Sequence, residues 1–276
     1  MFAIAGSRGF AQPILPQAAP DSDALENDAR SRFGILTKAE RILLRSAPFR
    51  DVPWVGPDSD PDDLANDPAH GDKWGPDRTI RANLLRWLCT DPTACRLIHP
   101  SGLGIAGARI DGKLDFSYLT IDKPLTMIRC YVPAGIDLGN ASVHGIDFRN
   151  GNFGPISADM MTSAGDVFLR FGRFATASFF RANIAGSLDF TGATFSNPGD
   201  DAISAIEAKI SGDAIFHDGF TTDGIVDFRL GQIGQSLSFH DARFIGADDN
   251  GLNAERATVN GTFYWVKVRH TGKTQL

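Results

Sequence analysis

From about Ala108 to Trp265 the chain repeats a short block: one large apolar residue, a small or apolar residue two places before it, and polar residues elsewhere. Ile136-Asp137-Leu138, Ala141-Ser142-Val143, Ile146-Asp147-Phe148 and Gly151-Asn152-Phe153 follow one another, and the series resumes from Val167-Phe168-Leu169 to Ala193-Thr194-Phe195. The step is five residues, sometimes six, and 11 of the 20 phenylalanines fall on the central position. An amphipathic helix repeats at 3.6 residues, and an alternation held over one such block is a strand too short to stand alone. A chain that counts in fives fits a rod with four flat sides, one block per side and a turn at each corner. Four blocks make a coil of about 20 to 22 residues, and coils stack about 4.8 Å apart. The reading predicts a mainly β protein, a quadrilateral parallel β-helix. Its interior is built from Leu138, Val143, Phe148, Phe153, Leu169, Phe174, Phe179, Ile184, Phe190, Phe195, Ile210, Phe216, Phe228, Ile233, Phe239, Phe244, Val259 and Trp265.

A longer repeat runs above the fives. Ile203-Ser204-Ala205 through Phe216 aligns with Leu252-Asn253-Ala254 through Trp265 at an offset of 49, and Gly165–Leu169 aligns with Gly212–Phe216 at 47, so two coils make one unit. Gly165, Gly186, Gly212 and Gly261 recur at one corner, where the expectation is a positive φ. SNPGDDAIS and IGADDNGL read as loops bulging from another corner. Before Ala158, counting blocks and matching glycine corners disagree by two sides.

These blocks, Ala182-Asn183-Ile184 most closely, resemble the pentapeptide-repeat superfamily, whose A(D/N)LXX motif is degenerate here, with Ile, Leu, Val or Gly at many of its Ala positions. The resemblance implies a right-handed quadrilateral β-helix. With WGPDRTIRANLLRWLCTDP and the two-coil units, the chain looks like a bacterial group often labelled "membrane-associated oxidoreductase", although no residue supports redox chemistry. Some pentapeptide-repeat proteins are DNA mimics that inhibit or shield a type II topoisomerase.

Ahead of the repeats, residues 1–30 read as a flexible tail, 31–100 as a helical region with an acidic loop that caps the rod, and 101–276 as the solenoid. Thr37-Lys38-Ala39-Glu40 has the spacing of a capping box opening a short helix that Pro48 ends. A second helix is expected from Pro76 to Pro92, with Ile80, Leu84, Leu85 and Leu88 on one face and Arg78, Arg81 and Arg86 on a solvated one. The Asp-, Pro- and Gly-rich stretch between them reads as loop. Its Asp58, Asp60 and Asp62 imitate half of a calcium loop, but Asp63 stands where Gly is needed and Ala69 where the bidentate Glu belongs.

Composition adds limits more than clues. A net charge of −6 over 276 residues lacks the basic balance of a nucleic-acid binder, and no direct nucleic-acid contact is expected. From Ser101 onward 19 acidic residues face 15 basic ones, a balance of −4 that is thin for a duplex mimic. Three cysteines, Cys89, Cys95 and Cys130, make no disulfide framework, which places the chain in a reducing compartment, the cytoplasm. No run approaches the roughly 20 apolar residues of a membrane span, which leaves peripheral membrane contact open. Phosphate-cradle, CxxC, HExxH and GxSxG patterns are missing, so no catalytic residue and no cofactor are expected. One constellation stands out: His217-Asp218 and His240-Asp241 follow central phenylalanines about one coil apart and would stack outward, with Thr191 and Arg170 above them. Two imidazoles and two carboxylates suit a metal or a phosphate-like ligand. Repeats stack like residues in any case, so the plainer reading is a solvated column. The function expected is a non-catalytic scaffold presenting flat faces to a protein partner, with a homodimer through the last coil as one route to association. The alternatives are the topoisomerase-directed DNA mimic and an enzyme with a site on an outer face.

Overall fold

The computed structural model describes residues 20–57, 63–245, 250–270 and 273–275. The chain forms a parallel β-helix with four columns of strands. Side one has eight strands in register, Leu103–Ala106, Leu125–Ile128, Ile146–Arg149, Val167–Arg170, Leu188–Asp189, Ala214–His217, Leu237–His240 and Phe263–Val266. Side two runs from Arg109–Asp111 to Arg269–His270, side three from Leu114–Asp115 to Lys273–Gln275, and side four, with seven strands, from Thr120–Ile121 to Thr258–Val259. Seven coils are thus complete and an eighth begins. Every ladder is parallel, because each coil returns to the same side in the same direction.

The coils start at Leu103, Leu125, Ile146, Val167, Leu188, Ala214, Leu237 and Phe263. The early ones need 21 or 22 residues; the later ones lengthen between sides two and three, where Thr194–Ser204 pairs with Thr221–Asp227 through register shifts at Ser196 and Asp201. SNPGDDAIS therefore lies within an extended strand at that corner, while residues 246–249 of IGADDNGL are outside the described residues. The glycine corners give the right registration before Ala158: Ile146 pairs with Val167 on side one. Block counting fails because two blocks, Ile156-Ser157-Ala158 and Met161-Thr162-Ser163, have small central residues, and Ser163 is buried with its hydroxyl donating to Gly165 O.

Side chains at the central position point inward. Of the interior column, Leu138 through Phe244 are buried, whereas Val259 and Trp265 are half-buried in the last coils. Coil stacking sets ring on ring: Phe153 and Phe174 lie 5.0 Å apart at 7°, and Phe216 lies 4.9 Å from Phe190 and 4.5 Å from Phe239. The residue two places earlier also points inward and is apolar or small, with Ile136, Ile146 and Val167 buried there and glycine where a neighbouring ring leaves no room. A Cβ on Gly151 would come 2.4 Å from the Phe153 ring.

The corners are not built as the glycine pattern predicts. Gly165, Gly186, Gly212 and Gly261 have no positive φ; they are needed because successive coils touch there, and a Cβ on Gly165 would meet His144 O at 2.7 Å. Glycines such as Gly112 and Gly135 turn left-handed between sides two and three, but most left-handed turns fall at the two corners that alternate with these along the coil: Tyr118, Asn140, Met160, Arg181, Glu207, Leu230 and Arg256 between sides three and four, and Gly107, Arg129, Asn150, Phe171, Gly192, Asp218, Asp241 and Lys267 between sides one and two. Each costs on the order of 1 kcal/mol outside glycine. Part of that cost is offset by Asx turns, in which the outward Asp or Asn of the preceding strand accepts a corner N–H. Asp115 takes that of Ser117, Asp137 of Gly139, Asp227 of Arg229 and Asn253 of Glu255.

The front of the chain closes the first coil. α1 (Pro20–Phe33), α2 (Lys38–Ser46), α3 (Ala82–Thr90) and α4 (Pro92–Leu97) pack together, with α3 against the side-three and side-four strands of coil one. Residues 20–30, assigned to the tail from sequence, belong to α1. Its buried face is slight, Ser22, Leu25, Glu26 and Ala29, and gave no clear periodicity. Glu26 ties it to α2 through Arg45. The Thr37–Glu40 capping box is present. The expected second helix is only half helix: Pro76–Arg78 is a 3-10 turn and Thr79–Arg81 a strand paired with Arg109–Asp111 on side two. β-branched Thr79 and Ile80 suit a strand, and pairing satisfies the open edge of the first coil. On side one that edge is met by Pro53–Val55, bonded to both backbone groups of Ala106.

The arginines change with the helix. Only Arg86 is exposed. Arg78 is buried, bonded to Gly107 O, Ala65 O and Asn66 Oδ1, and lies 3.6 Å from the Trp74 ring centre. Burial lowers its pKa to about 10. Arg81 holds the buried Glu40 by two hydrogen bonds. The acidic stretch, read as loop, contains two further 3-10 turns, Leu64–Asn66 and Pro68–Lys73, forming a strap over side two. Asp58, Asp60 and Asp62 lie outside the described residues.

Two outcomes follow. Phe216→Ala empties the middle of a three-ring stack and should cost about 3–5 kcal/mol, read as a lower denaturation midpoint, with lost amide protection centred on coils five to seven. Burial alone would raise the Glu40 carboxyl, but Arg81 and the N–H groups of Thr37 and Arg81 hold it below its ordinary value. A carboxyl lowered on folding stabilises above its unfolded pKa, and that contribution disappears as pH falls through the folded one. Glu40→Gln should therefore cost about 3 kcal/mol at pH 7, a difference that denaturant melts should show shrinking below about pH 4.

Candidate functional site

The outward column ending each side-one strand runs Ile128, Arg149, Arg170, Thr191, His217, His240 and Val266, one residue per coil. Parallel pairing sets this order, since His217 and His240 are direct partners across neighbouring strands. Their rings are 5.9 Å apart and nearly perpendicular. Asp218 and Asp241 follow them at the left-handed corner and are exposed. The structure thus brings the four sequence candidates onto one edge. Among the described residues, however, no group of three or more His, Cys, Asp or Glu is arranged to hold a metal ion.

Ser238, which sequence reasoning passes over, is the closer partner. Its Oγ lies 2.6 Å from His217 Nε2. The signal was present: Ser238 is the outward residue of Leu237-Ser238-Phe239, one coil after Ile215 and two residues out of line with His217. A hydroxyl hydrogen-bonded to an imidazole is the first geometric requirement of an activated nucleophile. Ser238 is itself buried between the coils bearing Ile215 and Tyr264, so the bond first of all satisfies a buried hydroxyl.

Earlier in the column the chemistry is ionic. Arg149 and Arg170 are direct cross-strand partners, and like charges so placed repel. Two carboxylates from the adjacent outward column compensate. Asp147 lies 3.0 Å from Arg149 and 3.8 Å from Arg170, and Asp189 lies 3.7 Å from Arg170, whose guanidinium also stacks 4.1 Å from the Phe168 ring centre. The result is a closed strip of charge across three coils.

A cleft of about 790 Å³ separates the cap from side four, lined by Cys89, Thr90, Cys95, Arg96, Asp122 and Lys123 among others. Lys123 spends its ammonium on the carbonyls of Cys95 and Ile98 at the end of α4. Burial pushes the thiols of Cys89 and Cys95 up, and that of Cys130, inside coil two, up to about 12. None of the three is poised as a thiolate nucleophile.

Replacing Arg170 by Leu leaves Asp147 and Asp189 without their shared cation. It should lower stability at pH 7 by about 1–3 kcal/mol, read as a lower midpoint in urea melts. No protein-family profile, no curated protein and no solved structure matches the chain.

Proposed function

We propose that the chain is a non-catalytic repeat scaffold of pentapeptide-repeat type, working in the cytoplasm, that binds a protein partner through its outer surface. One observation carries this reading: the left-handed corner between sides three and four bears exposed Tyr118 (78%), Met160 (48%) and Leu230 (40%). They stand in coils one, three and six, with Asn140 and the Arg181–Glu207 ion pair between them, and span about 24 Å at the usual strand spacing. Beside them lies side four, whose outward residues Thr120, Ser142, Thr162, Asn183, Lys209, Gln232 and Thr258 are all exposed and almost uncharged. Apolar residues rimmed by a flat polar surface are the composition of a protein interface. Among the described residues no helix is long and apolar enough to cross a membrane.

The topoisomerase-directed mimic draws less support from the charge map. On side three the carboxylates Asp115, Asp137 and Asp227 are separated by Ser157, Ser178 and Ser204, while side two carries Arg109, Arg173, Arg243 and Arg269. A duplex has a charge every 1.7 Å or so. The last coil adds a second surface, with Phe263, Tyr264 and Val266 exposed, through which two copies would associate.

Asparagine tolerates the left-handed conformation, so a Tyr118→Asn, Met160→Asn, Leu230→Asn variant should melt within a few degrees of the wild type. A photo-crosslinking residue at Met160 in growing cells should give one discrete protein adduct, lost in the Tyr118→Asn, Leu230→Asn background. The same residue at Thr126 on side one should give none. Equal labelling from both sides, or none from either, rejects the reading.

A further inference from the structure

We infer that side two is a receptor face for extended acidic polypeptide: the strap occupies its first four coils, and the same column, open in coils five to eight, takes an acidic segment of a partner protein. The outward column runs Arg109, Tyr131, Asn152, Arg173, Thr194, Thr221, Arg243 and Arg269, one residue per coil, each paired in register with the next. This surface is separate from the apolar residues at the corner between sides three and four, and its test does not depend on them.

The first half of the column shows how such a segment is held. Arg109 donates to Asp72 O at 2.7 Å, and Gly71 lies on Tyr131, where a Cβ would come 2.3 Å from the side chain. Asn152 donates to Pro68 O at 3.5 Å, and Arg173 faces the Asp67 carboxylate at 3.7 Å. Residue numbers in the strap fall as the coils rise, so the segment crosses the coils lengthwise and gives each one a contact. Its contributions are carbonyls, a carboxylate and a glycine, a set that any extended acidic segment free of bulky side chains can offer. The stretch it belongs to is strongly acidic, with eight aspartates against one lysine in residues 51–77. Past Asp67 the strap leaves the column, where Arg78 takes Ala65 O and Asn66 Oδ1.

Beyond that point the column keeps its charge and loses its cover. Arg243 and Arg269 are direct cross-strand partners and both are exposed. Like charges so placed repel. Where Arg149 opposes Arg170, the fold supplies Asp147 and Asp189. Here it supplies nothing equivalent: among the described residues no carboxylate forms an ion pair with Arg243 or Arg269, and Asp223 and Asp241 belong to other columns. Arginine clusters are a recurring means of recognising acidic segments. A segment laid along the column in the strap's direction brings two carboxylates to Arg269 and Arg243, as charge-assisted hydrogen bonds, and then backbone groups to Thr221 and Thr194. Ile245, exposed two residues beyond Arg243, adds an apolar contact at the edge.

Fluorescence anisotropy with the full chain tests this. The probe is a labelled peptide of residues 58–72, which holds six aspartates, beside a copy with asparagine at all six. The acidic peptide should bind, and the asparagine copy at least about tenfold more weakly. Arg243→Gln with Arg269→Gln should weaken the acidic peptide at least about tenfold by removing two charged hydrogen bonds. Arg86→Gln with Arg256→Gln, an equal change of net charge at exposed sites off the column, should leave it within about twofold. Thr194→Asp, which adds a carboxylate to an exposed point of the column, should weaken it several-fold by a separate route. A labelled oligothymidylate of equal length should bind more weakly than the acidic peptide. No binding by the wild type, equal loss in the two double variants, no response to Thr194→Asp, or tighter binding of the oligonucleotide overturns the assignment.

Discussion

The whole molecule rests on parallel coil-to-coil hydrogen bonding. Once each coil lies directly over the last, any side chain stands over its counterpart at strand spacing, and no residue can choose its neighbours independently. Inside the tube this favours like on like, which is why Phe153, Phe174 and Phe195 stack nearly face to face. Outside it forces awkward meetings such as Arg149 over Arg170. The carboxylates of Asp147 and Asp189 are the local answer, and they sit one column over because the column itself is already filled.

The same constraint explains the ends. A stack of coils has two open edges, and the first is closed by borrowed backbone: Thr79–Arg81 on side two, Pro53–Val55 on side one, and α3 over the remainder. Glu40 and Arg81 then join the cap helices to the strand that closes the edge, so the ion pair links the helical region to the solenoid. At the other end the last coil leaves Phe263, Tyr264 and Val266 exposed.

Much of the fold was legible in the sequence, because an interior that repeats identical contacts writes itself as a period. The five-residue step, the two-coil unit and the stacking of His217 on His240 all come from that regularity. What escaped were features governed by something other than the period. Thr79–Arg81 reads as helix by its apolar spacing and becomes strand through an edge that only the folded solenoid presents. Arg78 looks solvated and is buried, because its helix does not exist there. Gly165 and its equivalents mark a close approach between coils, and sequence cannot tell that from a positive φ. Ser238 was missed because it is one polar outward residue among many. Its significance depends on how the His217 ring turns, which no periodicity encodes.

The left-handed corners separate what the fold demands from what it permits. A residue in that conformation points away from the tube, so its side chain contributes nothing to the interior, and polar residues serve as well: Asn140, Arg181 and Glu207 occupy the same column as Tyr118, Met160 and Leu230. Burial cannot explain the apolar members, since they remain exposed. Conformational preference cannot either, because a bulky side chain is among the costlier choices for a positive φ and asparagine among the cheaper. Tyr118, Met160, Leu230 and Phe171 therefore sit where the solenoid gains least from them.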